Sequence, residues 1–117
     1  MKYTIYYKFT TLNPFIDANR SHIQKGAKIK RVETEVVRLA LLNKQPFKTP
    51  CRLKFTWLCK NKRIDPDNRA FAKKFVLDGM VKANILPDDT MRYITGFVDE
   101  FVISDKEGVI IENIGSD

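Results

Sequence analysis

Residues 51–60, CRLKFTWLCK, constrain the fold more than any other stretch of the chain. Cys51, Leu53, Phe55, Trp57 and Cys59 alternate with Arg52, Lys54, Thr56, Leu58 and Lys60. A period of two places the first set on one face of a strand and the second on the other. A strand this long needs neighbours to pair its backbone, so the chain must build a sheet. Residues 2–9 offer one partner, with Tyr3, Ile5, Tyr7 and Phe9 on one face. Residues 93–103 and 108–114 offer two more, joined through Asp105-Lys106-Glu107-Gly108 as a hairpin turn. Three- and four-residue spacing of Ile29, Val32, Val36, Leu39 and Asn43 predicts a helix over 27–44. A second helix fits 68–84, with Asp67 or Asn68 as its N-cap. Residues 10–26 read as irregular and 45–50 as a connector. The resulting order, βαβαββ, predicts a single α+β (α/β-like) domain over 1–117, one mixed sheet packed with two helices.

Length allows one core and not two, and 44% apolar residues argue against disorder. No apolar run approaches the roughly 18 residues that span a bilayer. The opening MKYTIYYKF alternates like a strand and lacks the apolar block of a signal peptide, so a cytosolic protein is expected. Cys51 and Cys59 share one strand face about 26 Å apart at about 3.3 Å per residue, too far to pair. With no CxxC and His22 as the only histidine, buried free thiols are expected rather than zinc ligands. Charge is unevenly divided. Residues 1–63 hold 15 Lys/Arg and 3 Asp/Glu, while residues 64–117 hold 6 and 11. A basic half suited to backbone phosphates and an acidic half suited to a cation is one reading; two solvated surfaces is the other.

The acids of the second half are concentrated. Asp65 and Asp67 flank Pro66, a helical segment with Lys73 and Lys74 follows, and Asp88-Asp89 comes directly after Pro87. Pro66 biases Asp65 to an extended conformation, and Asp67 sits where the helix dipole favours an anion. Asp88 and Asp89 can close the site from the other side once the helix returns. Mg²⁺ is held by a few carboxylates together with waters and substrate phosphates, and such a site activates water against a phosphodiester. DPDN and PDD are also ordinary turn sequences. Lys74, seven residues after Asp67, shares its helix face and either approaches a phosphate or pairs with Asp78 at i,i+4.

With these residues in view, the chain resembles the RusA family of phage and prophage Holliday-junction resolvases. The matching residues are Asp65-Pro66-Asp67-Asn68, Lys74 followed by FVLDGM, and Asn84-Ile85-Leu86-Pro87-Asp88-Asp89, together with an N-terminal strand followed by LNPFIDANR. The resemblance covers nearly the whole chain. It implies a RusA-like fold and a homodimeric, Mg²⁺-dependent endonuclease of DNA recombination and repair that resolves four-way junctions by paired nicks. The setting it implies is a bacterial host cytoplasm, with Mn²⁺ as a plausible substitute metal. Asp65, Asp67 and Asp89 match the metal ligands, with Asp88 beside them, and Asn68 and Lys74 match the motif's Asn and Lys. In the family the Lys follows the second Asp by four residues. Phe71 stands there in this chain, so a three-residue insertion leads to Lys74, with Lys73 as the alternative. Arg63 takes the place of a basic residue that usually precedes the first Asp directly.

A junction-cutting dimer would present Lys25, Lys28, Lys30, Arg31, Lys60, Lys62 and Arg63 to DNA. Phe15 would then be either a buried loop anchor or a wedge at the crossover. The competing expectation is a DNA-binding recombination accessory protein whose acidic cluster only shapes turns. No histidine pair or PD…(D/E)xK spacing supports another nuclease class.

Overall fold

The fold is built on β2 (Cys51–Cys59), the strand whose alternation dominates the sequence. The computed structural model describes residues 1–115. β3 (Ile94–Ile103) pairs parallel to β2 on one side, and β4 (Gly108–Asn113) pairs antiparallel on the other. β1 (Lys2–Tyr6) closes the sheet antiparallel to β4, giving the order β1-β4-β2-β3. The sheet is mixed, and the domain is α+β, as the pattern predicts.

One sheet face carries the core. Leu53 and Phe55 of β2, Ile5 of β1 and Val109 and Ile111 of β4 are buried there against Val37, Leu41, Phe75, Val76 and Met80 from the helices. The alternate residues of β2, Arg52, Lys54 and Thr56, are only half-buried on the opposite face. Cys51 and Cys59 lie buried as free thiols, and burial pushes both thiol pKa values up. Among the described residues no helix is long and apolar enough to cross a membrane.

Four expectations are corrected. First, residues 10–26 are not irregular, because α1 (Leu12–Ser21) occupies most of them and α2 (Ile23–Ala40) begins before their end. Asn13-Pro14 looks like a turn, but Pro14 falls in the first turn of α1, where a missing N–H has no intrahelical partner to lose. The two helices part at His22, which is extended and accepts a hydrogen bond from Gln24 N at 3.2 Å. Gly26 is no breaker either: a Cβ there would lie 1.6 Å from Asn19 Oδ1, so it marks the close crossing of α1 and α2.

Second, α2 turns a different face inward. Val32 and Leu39 of the expected face are exposed, while Glu33, Thr34, Val37 and Leu41 are buried. Third, the second helix is two pieces, α3 (Pro66–Ala70) and α4 (Lys73–Lys82), and the residue flanking α3 is Asp65 with Pro66 at the first helical position. Fourth, β3 and β4 do not form a hairpin. They lie on either side of β2, so residues 104–107 pass over its end, with Ser104 N donating to Cys59 O at 2.8 Å.

Candidate metal and nucleic-acid site

Asp65 is set by the end of β2 and the start of α3. Its backbone is extended (φ −61°, ψ 149°), as the following proline demands, and its carbonyl accepts the first helical bond from Arg69 N at 3.1 Å. Asp67, on the first turn of α3, accepts a hydrogen bond from Asn68 N at 3.0 Å. Both carboxylates are exposed. Asn68 is half-buried, and its amide oxygen is buried without a hydrogen-bond partner. Ile64 and Pro66 line a hollow of about 280 Å³ with Phe101, Val102 and Ile103, which fixes this acidic turn beside the C-terminal end of β3.

Asp88 and Asp89 are set by how α4 ends. Asn84 adopts a left-handed conformation (φ 62°), and Ile85 N reaches back to Met80 O at 2.9 Å, the pattern that reverses a chain after a helix. Ile85 and Leu86 are then buried, and Pro87 leads into the acidic pair, where Asp88 Oδ1 accepts from Asp89 N at 2.8 Å. Asp88 and Asp89 line a cleft of about 430 Å³ between α2 and α4 with Lys30, Arg31, Asp78 and Lys82.

The two acidic pairs therefore occupy different ends of the sheet. Cys51 pairs with Ile94 at one end of β2 and Cys59 with Ile103 at the other. Asp89 precedes the first end and Asp65 follows the second, and those two strand ends lie roughly 26 Å apart at about 3.3 Å per residue. Among the described residues of one chain, no three His, Cys, Asp or Glu side chains lie together as a metal-holding group. The structure brings Asp65 near Asp67 and Asp88 near Asp89, and does not unite the two pairs.

Each pair has its own cations. Lys62 and Arg63 belong to the segment leading into Asp65, while Lys30 and Arg31 share the cleft of Asp89. Lys25 and Lys28 continue the α2 surface, and Lys60 starts the β2–α3 connection. All seven cations expected to face DNA are exposed, and among the described residues none joins an ion pair. Asp65, Asp67, Asp88 and Asp89 join none either.

The two candidate lysines separate cleanly. Lys73 Nζ pairs with Asp99 at 2.6 Å and lies over the Phe97 ring at 4.5 Å, and Trp57 Nε1 donates to the same carboxylate at 2.9 Å. That cluster locks Lys73 to the sheet. Lys74 is exposed and only 3.9 Å from Asp78, which leaves it available to a substrate. Phe15 sits on α1 with its ring 5.0 Å from Phe71 and 5.7 Å from Phe75, the anchoring role rather than the wedge.

Sequence reasoning passed over Lys8, Lys82 and Arg69. Lys82 sits in the Asp88–Asp89 cleft. Arg69 follows Asn68 directly and is one helical turn from Asp65, a signal present in the sequence. Its Nη1 faces Glu107 Oε1 at 3.7 Å, with both side chains largely buried. No protein-family model matches this chain, and no curated protein matches it.

Proposed function

We propose that the protein is a Mg²⁺-dependent, structure-specific endodeoxyribonuclease that acts on branched DNA as a homodimer, with the four-way junction as substrate. The observation that carries this reading is that, among the described residues, Asp65, Asp67 and Asp89 stay free of ion pairs although unpaired cations flank them. In a protein of net charge +7, acids not neutralised by their own neighbours suit a cation from solution, and the free cations suit phosphates.

The separation of the two pairs supports a dimer. β3 is an edge strand with Phe97, Phe101, Val102 and Ile103 exposed along it. A bare apolar edge is a template for a second chain. Antiparallel pairing of two β3 strands about a two-fold axis sets the Ile94 end of one beside the Ile103 end of the other. Asp89 of one subunit then approaches Asp65 and Asp67 of its mate, and two equivalent sites arise, as paired nicks require. Asp65, Asp67 and Asp89 would hold Mg²⁺, which activates water and neutralises charge on the phosphate when bound. Asn68 orients the acidic turn, and Lys74 supplies a cation to the phosphate.

Asp67→Asn should bind a labelled four-way junction as tightly as the wild type and fail to cut it in Mg²⁺. Full cleavage by that variant would overturn the assignment. A second reading, a DNA-binding accessory protein, is favoured by the local hydrogen bonds of Asp67 and Asp88, which also suit structural turns. Calorimetry separates the two, since the accessory protein takes up no Mg²⁺ or Mn²⁺ through Asp65, Asp67 and Asp89.

A further inference from the structure

A second cleft opens on the other side of the acidic turn. It has a volume of about 550 Å³ and lies between the β1–α1 connection and residues 61–64. Lys8 and Thr11 stand on one wall, Asn61 and Arg63 on the other, and Arg69 and Glu107 at its inner side. Three cations face one carboxylate, so the cleft is positive. Arg69 is the most committed of the three. Its contact with Glu107 at 3.7 Å is about 1 Å longer than a charge-assisted hydrogen bond. Among the described residues its guanidinium makes no side-chain hydrogen bond, and its Nε is buried without a partner. A guanidinium held in place by a distant carboxylate, with donors to spare, matches the fork geometry of a phosphate.

We propose that this cleft seats a phosphodiester of the DNA backbone, with Arg69 as its central ligand and Lys8 and Arg63 on either side. The proposal rests on the nucleic-acid reading above and extends it to a seat separate from the metal. Arg69 lies four residues after Asp65 along α3, about 6 Å at about 1.5 Å per residue. At about 3.4 Å of axial rise per nucleotide, the seated phosphate is roughly two nucleotides from the one at Asp65 and Asp67. The cleft thereby fixes the strand's register against the acidic turn. Glu107 holds the guanidinium in position and keeps the cleft from binding small anions tightly, so a strand that also contacts neighbouring cations is preferred.

The test measures junction binding against salt in Ca²⁺, where binding is read without cleavage. Lys8→Ala should make the slope of log K against log[salt] shallower by about 0.9, the contribution of one phosphate contact. Lys2→Ala, at the start of β1 and outside the cleft, should leave the slope unchanged. Arg69→Lys keeps a charge opposite Glu107 but loses the fork, so affinity should fall several-fold with the slope nearly intact. In parallel, the Arg69 Nε–H resonance of the full protein should shift saturably with a short oligothymidylate and return at high salt. Lys8→Ala matching Lys2→Ala, or an Arg69 signal indifferent to the oligonucleotide, would overturn the proposal. Wild-type protein that binds with the full slope and shifts Arg69, yet never cuts in Mg²⁺, would sink the nuclease reading and leave the cleft standing.

Discussion

Glu33 is a carboxylate in a place that penalises charge. It is buried on α2 and receives hydrogen bonds from Thr10, through the backbone N at 2.8 Å and through the hydroxyl. Burial raises its pKa above the ordinary carboxylate value, while the two Thr10 bonds pull the other way and do not win. A folded-state pKa above the unfolded one means the native state favours the protonated form. Its stabilising contribution is therefore complete below about pH 4, the unfolded value, and is lost as pH climbs through the folded one. Glu33→Gln, which keeps the shape and a carbonyl for Thr10 N, should match the wild type in acid and exceed its Tm near neutrality. Thermal melts of both proteins across pH 4–8 test this, and parallel curves would show that Glu33 does not titrate in that range. Composition hides Glu33, because a glutamate opening the polar run Glu33-Thr34-Glu35 reads as surface. Asp65, Asp67 and Asp89 stand out in the sequence for the opposite reason, since proline and pairing set them apart.

At the scale of elements, β2 was legible because a period of two over nine residues has no helical alternative. The α2–α4 contact was not. Gly79 reads as a weak point in a helix, yet a Cβ there would lie 2.5 Å from Val37 Cβ and 2.8 Å from Thr34 O. Alanine gains up to about 1 kcal/mol of helix propensity at an exposed site, but overpacking a rigid contact costs about 1–3 kcal/mol. The second effect wins, because the clash includes backbone that cannot rotate away. Gly79→Ala should lower the urea midpoint at unchanged m-value, and a variant as stable as the wild type would mean the helices separate freely. The same contact explains the misread face of α2. Val32 and Leu39 follow the apolar period, but α4 docks where Val37 and Thr34 are, so the period alone pointed outward. The β3–β4 connection failed for a different reason. A turn sequence specifies that a chain reverses and says nothing about a third strand entering between its arms.

Over the whole molecule, the chain keeps its two acidic pairs apart and leaves β3 as a bare edge strand. If the β3 edge joins two copies, Phe101→Asp should yield a folded monomer by light scattering that binds DNA weakly and does not cut. A dimer that persists in this variant would move the interface elsewhere. That β3 is left as an open edge was not legible from the sequence, since edge exposure depends on which strand ends up outermost.

That strand order also decides when the molecule can exist at all. β4 lies between β1 and β2, so the first strand made has no partner until the last strand arrives. The β1–β4 ladder joins residues far apart in the chain, Lys2 with Glu112 and Ile5 with Val109, so a long loop must close before it forms. Until β4 is in place β1 has no ladder partner, and Ile5, buried in the finished sheet, stays uncovered. Closure of the sheet is thus a non-local step of this fold, and β4, seated between β1 and β2, is the strand that commits the others.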